Sequence, residues 1–340
     1  MKKESPKQSK VAAVNGLKAY AAIGIVFMHV LANGNYSLKG FLFESFIPAL
    51  TDLVFLFMTV SGFGMCCGYY EQITGGEMLP EEFYKRRIIK IWPLFALLCI
   101  TEFFVHPNIN TFRELFADLI LCIGFLPDPG SISVVGVGWF VGLVFVFYLI
   151  FPFYCFLLGN KKRAWAVFII SILFNLLCSD YFGIGRANIL YSAPLFLGGG
   201  LVFLYRENIW RIKENFKPVI LLLCIVSTAV YFLTGRNFFM IAVVSLLSLI
   251  YAVCGTGHPL LSNRITDFLS SISFEIYLCH MPVYRVLEKT GILHAFKSEA
   301  VSYLLVAILT TLGASIVAKA AQSLINRSIL LCRGKNSTGP

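Results

Sequence analysis

The chain contains 340 residues, of which 58% are hydrophobic and only 14% are charged, and its mean hydropathy is +0.78. These values lie well outside the range of soluble globular domains and exclude that class. The formal net charge is +10 at pH 7, but the cations lie in short loops between apolar segments, which argues against nucleic-acid binding. Repeated apolar runs of about 20 residues predict an all-α polytopic integral membrane protein.

The first apolar segment, residues 13–35, carries two ionisable groups within NGLKAYAAIGIVFMH, residues 15–29. Lys18 and His29 are eleven residues apart, so in a helix they share a face and lie roughly 16 Å apart along the axis. The preceding residues 1–12 are basic and polar, and we expect them to form a disordered cytoplasmic tail. No small-residue cleavage site follows the apolar run, which predicts an uncleaved first span.

The remaining apolar segments predict about ten transmembrane helices, within one domain over residues 13–326. The expected spans are 13–35, 48–70, 88–105, 138–158, 164–182, 188–205, 218–234, 237–255, 267–287 and 300–325. The segment 113–126 is apolar but too short to cross comfortably, so we interpret it as a re-entrant or interfacial helix. A polar tail, residues 327–340, follows the last span.

The Lys and Arg residues determine the predicted orientation. With both termini in the cytoplasm, most of the 28 Lys and Arg fall on the inner side, including clusters at 85–90 and 161–163. This arrangement requires the segment 113–126 to begin and end on the outer side. If that segment crosses the bilayer instead, the chain has eleven spans and one terminus changes side.

The ten cysteines lie mostly inside apolar segments, and none forms a CxxC pair or another ligand spacing. Cysteines in such positions usually act as small buried hydrophobes. We expect no disulfide bond and no metal site.

His29 is the first candidate for chemistry. An ionisable group at membrane depth is costly and marks a functional site by default. A neutral imidazole there can take a proton from a hydroxyl during acyl transfer, and Lys18, nearer the cytoplasm, can hold an anionic donor group. The alternative interpretation is a histidine that forms hydrogen bonds between helices.

A basic cluster begins the third span, in FYKRRIIKIWP at residues 83–93. Arg87 and Lys90 are three residues apart and lie on one helical face, with Arg86 and Lys85 beside them. Cations at one membrane surface suit phosphates, including those of a nucleotide carrier such as coenzyme A. The alternative is ordinary anchoring by the positive-inside rule or binding to anionic lipid headgroups.

Four further residues are candidates for lining a cavity. Ser61 lies in VSGFG, where small residues also favour close helix packing. Trp139 begins WFVGLVFVFYLIFP, where an interfacial aromatic belt is the alternative. Glu275 and His280 lie five residues apart in SISFEIYLCHMPV and need not pair with each other. A second intramembrane histidine favours a polar cavity within the bundle, and a purely structural histidine is the alternative.

These motifs occur in an order that resembles the membrane acyltransferase-3 family of bacterial O-acyltransferases. NGLKAYAAIGIVFMH resembles the first helix of that family, in which Arg or Lys, ten residues and then His form the signature. The segment FLFMTVSGF resembles the SGF segment of the family, and FYKRRIIKIWP resembles its F-x-x-R-R-x-x-R-I-x-P element. The segment WFVGLVFVFYLIFP resembles the family's helix with Trp, Phe-Tyr and Pro. The segment SISFEIYLCHMPV resembles its S-x-Y-L-x-H-x-P-V helix. The resemblance covers roughly residues 12–325.

Two positions depart from the family pattern. The second Arg of the R-x-x-R element is Lys90 here, which keeps the charge but loses the bidentate fork. Many members carry a Glu five residues after the Trp, and Val144 stands there instead. The pattern is closer to the shorter subgroup, which lacks both that Glu and an appended extracytoplasmic domain.

The resemblance implies an acyltransferase of the bacterial inner membrane with no tightly bound cofactor. Its donor would be cytoplasmic acyl-CoA, most often acetyl-CoA, and its acceptor a hydroxyl of a surface polysaccharide, a lipid-linked glycan or another envelope molecule. Lys18 and His29 take the catalytic positions, and Arg87, Lys90 and Arg86 take the donor-binding positions. His29 would act as a general base or as a transient acyl acceptor.

Two other functional classes are possible from the residues alone. A proton-coupled exporter of an envelope glycan intermediate could use His29, Glu275 and His280 along its path, but the sequence has no internal symmetry of the kind transporters often show. A membrane sensor or anchoring subunit is a third interpretation, although the chain lacks a soluble output domain.

Overall fold

The computed structural model describes residues 12–126, 128–132, 135–255 and 258–335, with side chains omitted for 328–335. The helices are α1 (Ala12–Asn33), α2 (Leu42–Thr74), α3 (Pro80–Val105), α4 (Ile109–Leu119), α5 (Gly138–Leu158), α6 (Lys161–Cys178), α7 (Ile189–Leu204), α8 (Arg206–Trp210), α9 (Lys217–Leu233), α10 (Phe238–Cys254), α11 (Arg264–Ser271), α12 (Ser273–Lys289) and α13 (Glu299–Lys335). No strand occurs in the described part, which confirms the all-α prediction. The tail predicted for residues 1–12 lies outside it, apart from its last residue.

Six helical segments of the described residues are long and apolar enough to cross a membrane. They are Ala12–Asn33, Leu42–Thr74, Pro80–Val105, Gly138–Leu158, Glu214–Leu233 and Glu299–Arg327. The helices α7 and α10 are also apolar but have only 16 and 17 residues, about 24 and 26 Å against a hydrocarbon core of about 30 Å. The chain is a membrane protein, and the count of about ten spans stays a prediction.

The predicted span 267–287 is not one continuous helix. It consists of α11 and α12, separated at Ile272, whose backbone angles are φ −124° and ψ 14°. The hydroxyls of Ser271 and Ser273 donate to the carbonyls of Phe268 (2.7 Å) and Ser270 (3.0 Å) around this break. Serine hydroxyls compete with backbone amides for such carbonyls, which favours interruption of a helix.

The short segment predicted at 113–126 is a helix followed by a turn. The helix α4 has eleven residues, about 16 Å in length. Asn108 caps its start by accepting from the backbone amides of Asn110 and Thr111, both at 2.9 Å. After α4, Leu121 takes a left-handed conformation (φ 56°) and a 3₁₀ turn covers Cys122–Phe125. A re-entrant or interfacial position for this segment stays a prediction.

The chain divides into two compact units. Unit 1 comprises Val54–Asn263 together with the chain up to Lys18, and unit 2 comprises Ala19–Leu53 and the chain from Arg264 onward. The divisions therefore fall within α1, within α2 and at the start of α11.

The core of unit 1 contains stacked aromatic side chains. The rings of Phe147 and Phe196 have centroids 4.4 Å apart at 13°, and those of Phe83 and Phe151 have centroids 5.3 Å apart at 23°. All four side chains are fully buried. Each aromatic pair contributes about 0.5–1.5 kcal/mol beyond area burial. Such packing matters in lipid because apolar burial alone does not drive helices together there.

Two glycines bring α2 and α7 of unit 1 close together. A Cβ atom added at Gly62 would overlap the carbonyl oxygen of Phe196, and one added at Gly199 would overlap the carbonyl oxygen of Thr59. Small residues at such positions let two helix backbones approach. This contact supports the packing interpretation of the VSGFG motif.

In unit 2 the helices α12 and α13 pack along each other. Tyr303 of α13 donates its hydroxyl to the carbonyl of Phe27 in α1 (3.2 Å), and the two rings meet edge to face with centroids 6.3 Å apart. Tyr303 also contacts Tyr36, in the loop that follows α1, with ring centroids 5.7 Å apart. These contacts fix the second half of α1 against α13.

We predict that a methyl group at Gly62 destabilises the protein. Gly62→Ala forces α2 away from α7 and should cost about 1–3 kcal/mol, the usual range for overpacking. Thermal melting in detergent, followed by loss of the monodisperse peak in size-exclusion chromatography, measures this effect. Gly68→Ala is the control, since a Cβ atom there has nothing within 4 Å. Equal melting temperatures for the two variants would contradict the close contact.

We predict that Asp118 in α4 makes stability depend on pH. Asp118 is fully buried, and burial, with a smaller effect of Glu114, raises the pKa of its carboxyl to about 7. One oxygen accepts from Cys99 Sγ at 3.5 Å, and Oδ1 has no partner in the described part. The unfolded group has a pKa of about 3.9, so the folded state holds a proton that the unfolded state releases. Stability should therefore fall as the pH rises from about 4 to about 7.

The melting temperature measured between pH 5 and pH 8 tests this dependence. Asp118→Asn should reduce the decline of the melting temperature with rising pH, because the amide does not ionise. The exposed Asp180→Asn variant is the control and should keep the wild-type slope. If Asp118→Asn kept the wild-type slope of melting temperature against pH, Asp118 would not be the origin of the pH dependence.

Candidate functional site

The two predicted site histidines lie side by side in unit 2. His29, in α1, is partly exposed, whereas His280, in α12, is 0% exposed. Their ring centroids are 5.0 Å apart and the ring planes are inclined at 42°. Of the two residues, only His29 is accessible at the protein surface.

The hydrogen bonding of His280 fixes its tautomer. Its Nδ1 lies 2.7 Å from the carbonyl oxygen of Tyr277, one turn earlier on α12. A carbonyl only accepts, so Nδ1 carries the proton and Nε2 of the neutral ring is an acceptor. Nε2 is buried and has no hydrogen-bond partner among the described residues. Glu275 is also buried (7% exposed) and lies five residues earlier on the same helix.

The basic cluster lies in unit 1 and centres on Arg87. Its guanidinium carbon lies 4.5 Å from the ring centroid of Tyr69 and 5.6 Å from that of Tyr148. Nη2 donates to the hydroxyl of Tyr69, and Nη1 lies 3.7 Å from Sδ of Met65. Nε is buried and without a hydrogen-bond partner in the part of the chain described. Aromatic contacts of this kind hold a guanidinium in a defined orientation.

Lys18 joins this cluster from α1. A Cβ atom added at Gly64 would lie 3.9 Å from Nζ of Lys18, so the ammonium group lies against the backbone of α2. The charges of Lys90 and Arg87 also act on Lys18. Three cations in one region repel each other, and an anionic ligand would offset that repulsion.

Arg86 has a different environment from Arg87. It is exposed, and its Nη2 lies 2.5 Å from Oε1 of Glu82, four residues earlier on α3. A pair of this kind on an exposed helix face contributes little to stability. Arg86 therefore pairs with a carboxylate on its own helix, whereas Arg87 contacts tyrosine rings.

The two other candidates of unit 1 lie on α2 and α5. Ser61 is partly exposed. The ring centroid of Trp139 lies 5.1 Å from the guanidinium carbon of Arg186, which also lies 5.6 Å from the ring of Phe55. Arg186 is not among the residues predicted from the sequence. The available signal was a single arginine in a predicted outer loop, where the positive-inside rule disfavours one.

Tyr69, Tyr148 and Tyr277 were also not identified from the sequence. Tyr148 lies inside the quoted motif FVFYLIFP, and Tyr277 inside SISFEIYLCHMPV. Tyr69 lies on α2 shortly after the VSGFG motif, residues 60–64. Aromatic residues are common throughout the chain, so nothing in the motifs distinguished these three. At the position where many relatives carry a Glu, Val144 is buried (5% exposed) in α5.

The candidates thus fall into two groups. Unit 1 contains Lys18, Ser61, Arg86, Arg87, Lys90 and Trp139, and unit 2 contains His29, Glu275 and His280. Only α1 carries members of both groups, namely Lys18 and His29. Among the residues that the structure describes, no three or more His, Cys, Asp or Glu side chains are arranged to hold a metal ion.

A comparison with protein families matches residues 11–319 to the model described as an acyltransferase domain, that of the acyltransferase-3 family. The chain belongs to this family. The matched range includes every candidate residue named above, and family membership supports acyltransferase activity at a membrane. No curated protein and no solved structure matches the chain.

Proposed function

We propose that this acyltransferase moves an acyl group, most simply acetyl, from cytoplasmic acyl-CoA to a hydroxyl of a surface carbohydrate or another cell-envelope molecule. It would work in the bacterial inner membrane with both termini in the cytoplasm. The observation that carries the proposal is the partly exposed residue His29 within an apolar, membrane-length helix.

As a general base, His29 takes the proton of the acceptor hydroxyl while the oxygen attacks the thioester carbonyl. The C–S bond then breaks, and the CoA thiolate takes the proton back from the imidazolium. In the alternative route the imidazole attacks the carbonyl and the C–S bond breaks, which gives an acyl-imidazolium and the CoA thiolate. The acceptor hydroxyl then attacks the acyl carbon, the C–N bond breaks to release neutral His29, and the hydroxyl proton passes to the thiolate. Both routes need a neutral His29 with a lone pair toward the substrate.

Lys18, Arg87 and Lys90 would hold the phosphates of the donor. The guanidinium of Arg87 is oriented by Tyr69 and Tyr148 before any ligand arrives, which reduces the ordering cost of binding. Lys90 offers a single compact charge where the family pattern has a second guanidinium, so its contact with a phosphate would be less directional.

Lys18 and His29 both belong to the helix α1. Lys18 and His29 lie eleven residues apart on it, roughly 16 Å along its axis. CoA carries its thioester at the end of a long flexible arm, remote from its phosphates.

We predict that purified protein releases free CoA from radiolabelled acetyl-CoA, slowly by hydrolysis when no acceptor is present. His29→Ala should lower this rate by about 10²–10⁴-fold, the range for loss of a general base. The exposed His106→Ala variant is the control and should keep the wild-type rate. Absence of CoA release by the wild type would favour an exporter, and full activity of His29→Ala would remove His29 from the chemistry.

We predict that Arg87→Ala raises the apparent KM for acetyl-CoA by about 10- to 100-fold, because charged hydrogen bonds contribute about 1.5–3 kcal/mol each. Arg87→Lys should give an intermediate KM, since it keeps the charge without the fork. Steady-state CoA release over a range of acetyl-CoA concentrations provides the measurement.

Arg163→Ala is the matched control for a cation that only anchors the chain. Arg163 is exposed and donates to the carbonyl of Phe156 at 2.8 Å. Its removal should leave KM unchanged. If Arg87→Ala and Arg163→Ala had the same KM, the cluster around Arg87 would be a topological anchor and not a donor site.

A further inference from the structure

His280 keeps a buried polar atom without a partner. Its Nε2 lies in a fully buried ring and has no hydrogen-bond partner among the described residues. Leaving such an atom unsatisfied costs about 1–3 kcal/mol, and an apolar side chain in its place would avoid that cost. A buried polar atom of this kind requires an explanation.

The geometry restricts what this nitrogen can do. The Nδ1–H of His280 is committed to the carbonyl of Tyr277 at 2.7 Å, so Nε2 is a lone pair directed away from that carbonyl. The nearest imidazole is that of His29, with a centroid distance of 5.0 Å. A ring N–H of His29 is a suitable donor for this lone pair.

We propose that His280 is a positioning residue that accepts a hydrogen bond from a ring N–H of His29 through Nε2. This inference rests on the proposed function of His29. The bond selects one tautomer of His29 and leaves its other nitrogen unprotonated on the partly exposed side of the ring. His280 is fully buried and acts through His29 without touching the substrate.

The arrangement also suits the charged state of His29. When His29 takes a proton, both of its nitrogens become donors and the bond to Nε2 becomes charge-assisted and stronger. The proton itself stays on His29 until the CoA thiolate takes it. Active-site histidines commonly have the second nitrogen held by a carboxylate or a carbonyl. Here a neutral imidazole of fixed tautomer fills that position.

Two substitutions at position 280 separate positioning from packing. In His280→Asn the amide NH₂ replaces Nδ1–H and keeps the bond to the carbonyl of Tyr277, but no atom remains at the Nε2 position. In His280→Gln the longer amide places its oxygen near the Nε2 position. Asn therefore removes the acceptor for His29, and Gln restores one.

His280→Asn should lower kcat for CoA release by about 10- to 100-fold, as for other orienting partners of an active-site group. The KM for acetyl-CoA should change less than about two-fold, because donor binding is not affected. His280→Gln should recover a substantial part of the lost kcat. Wild-type kcat in His280→Asn, or equal losses in the two variants, would overturn the proposal.

Nitrogen-15 NMR of labelled histidine tests the pair without reference to activity. In the full chain with His106, His258 and His294 replaced by Gln, only His29 and His280 remain of the five histidines. With His280 present, His29 should show one tautomer, and in His280→Asn the population of that tautomer should fall. Mixed tautomers of His29 already in the presence of His280 would overturn the proposal. A single tautomer together with no CoA release would show that the proposed function had failed while the pairing held.

Discussion

The free-energy cost of burying polar groups away from water determines much of this structure. Inside a bilayer every backbone amide must be paired within the protein, which is why the described chain is helical. The same cost applies to the ionisable side chains that a catalyst of group transfer needs. The protein meets it differently in its two units. Arg87 lies among tyrosine rings and beside a thioether, and His29 lies against a second, neutral imidazole.

These two solutions suit the two chemical tasks that we propose for Arg87 and His29. A permanent cation must bind and release an anionic ligand, so its surroundings orient the guanidinium without neutralising it. Tyrosine rings do this, whereas a carboxylate would compete with the ligand for the same charge, as Glu82 does at Arg86. In the proposed mechanism His29 is a base that must remain neutral until the reaction, and a neutral neighbour such as His280 adds no charge beside it.

The helices were largely predictable, because each depends on a local run of apolar residues. The predicted span 138–158 coincides with α5, and the expected short helix near 113–126 is present as α4 and its turn. The prediction was wrong at Ile272, where a run of apolar and serine residues reads as one span. Serine hydroxyls there bind backbone carbonyls and interrupt the helix, an outcome that hydropathy does not encode.

The sequence by itself determined the membrane class, the basic face of α3 and the family to which the ordered motifs belong, because these follow from composition, spacing and order along the chain. Only the tertiary structure decided which residues are neighbours. Tyr69 and Tyr148 surround Arg87, Arg186 lies over Trp139, and His280 lies beside His29, although each pair comes from different helices or loops. Such contacts depend on how helices pack, through glycines such as Gly62 and Gly199, and no local pattern of residues specifies that packing.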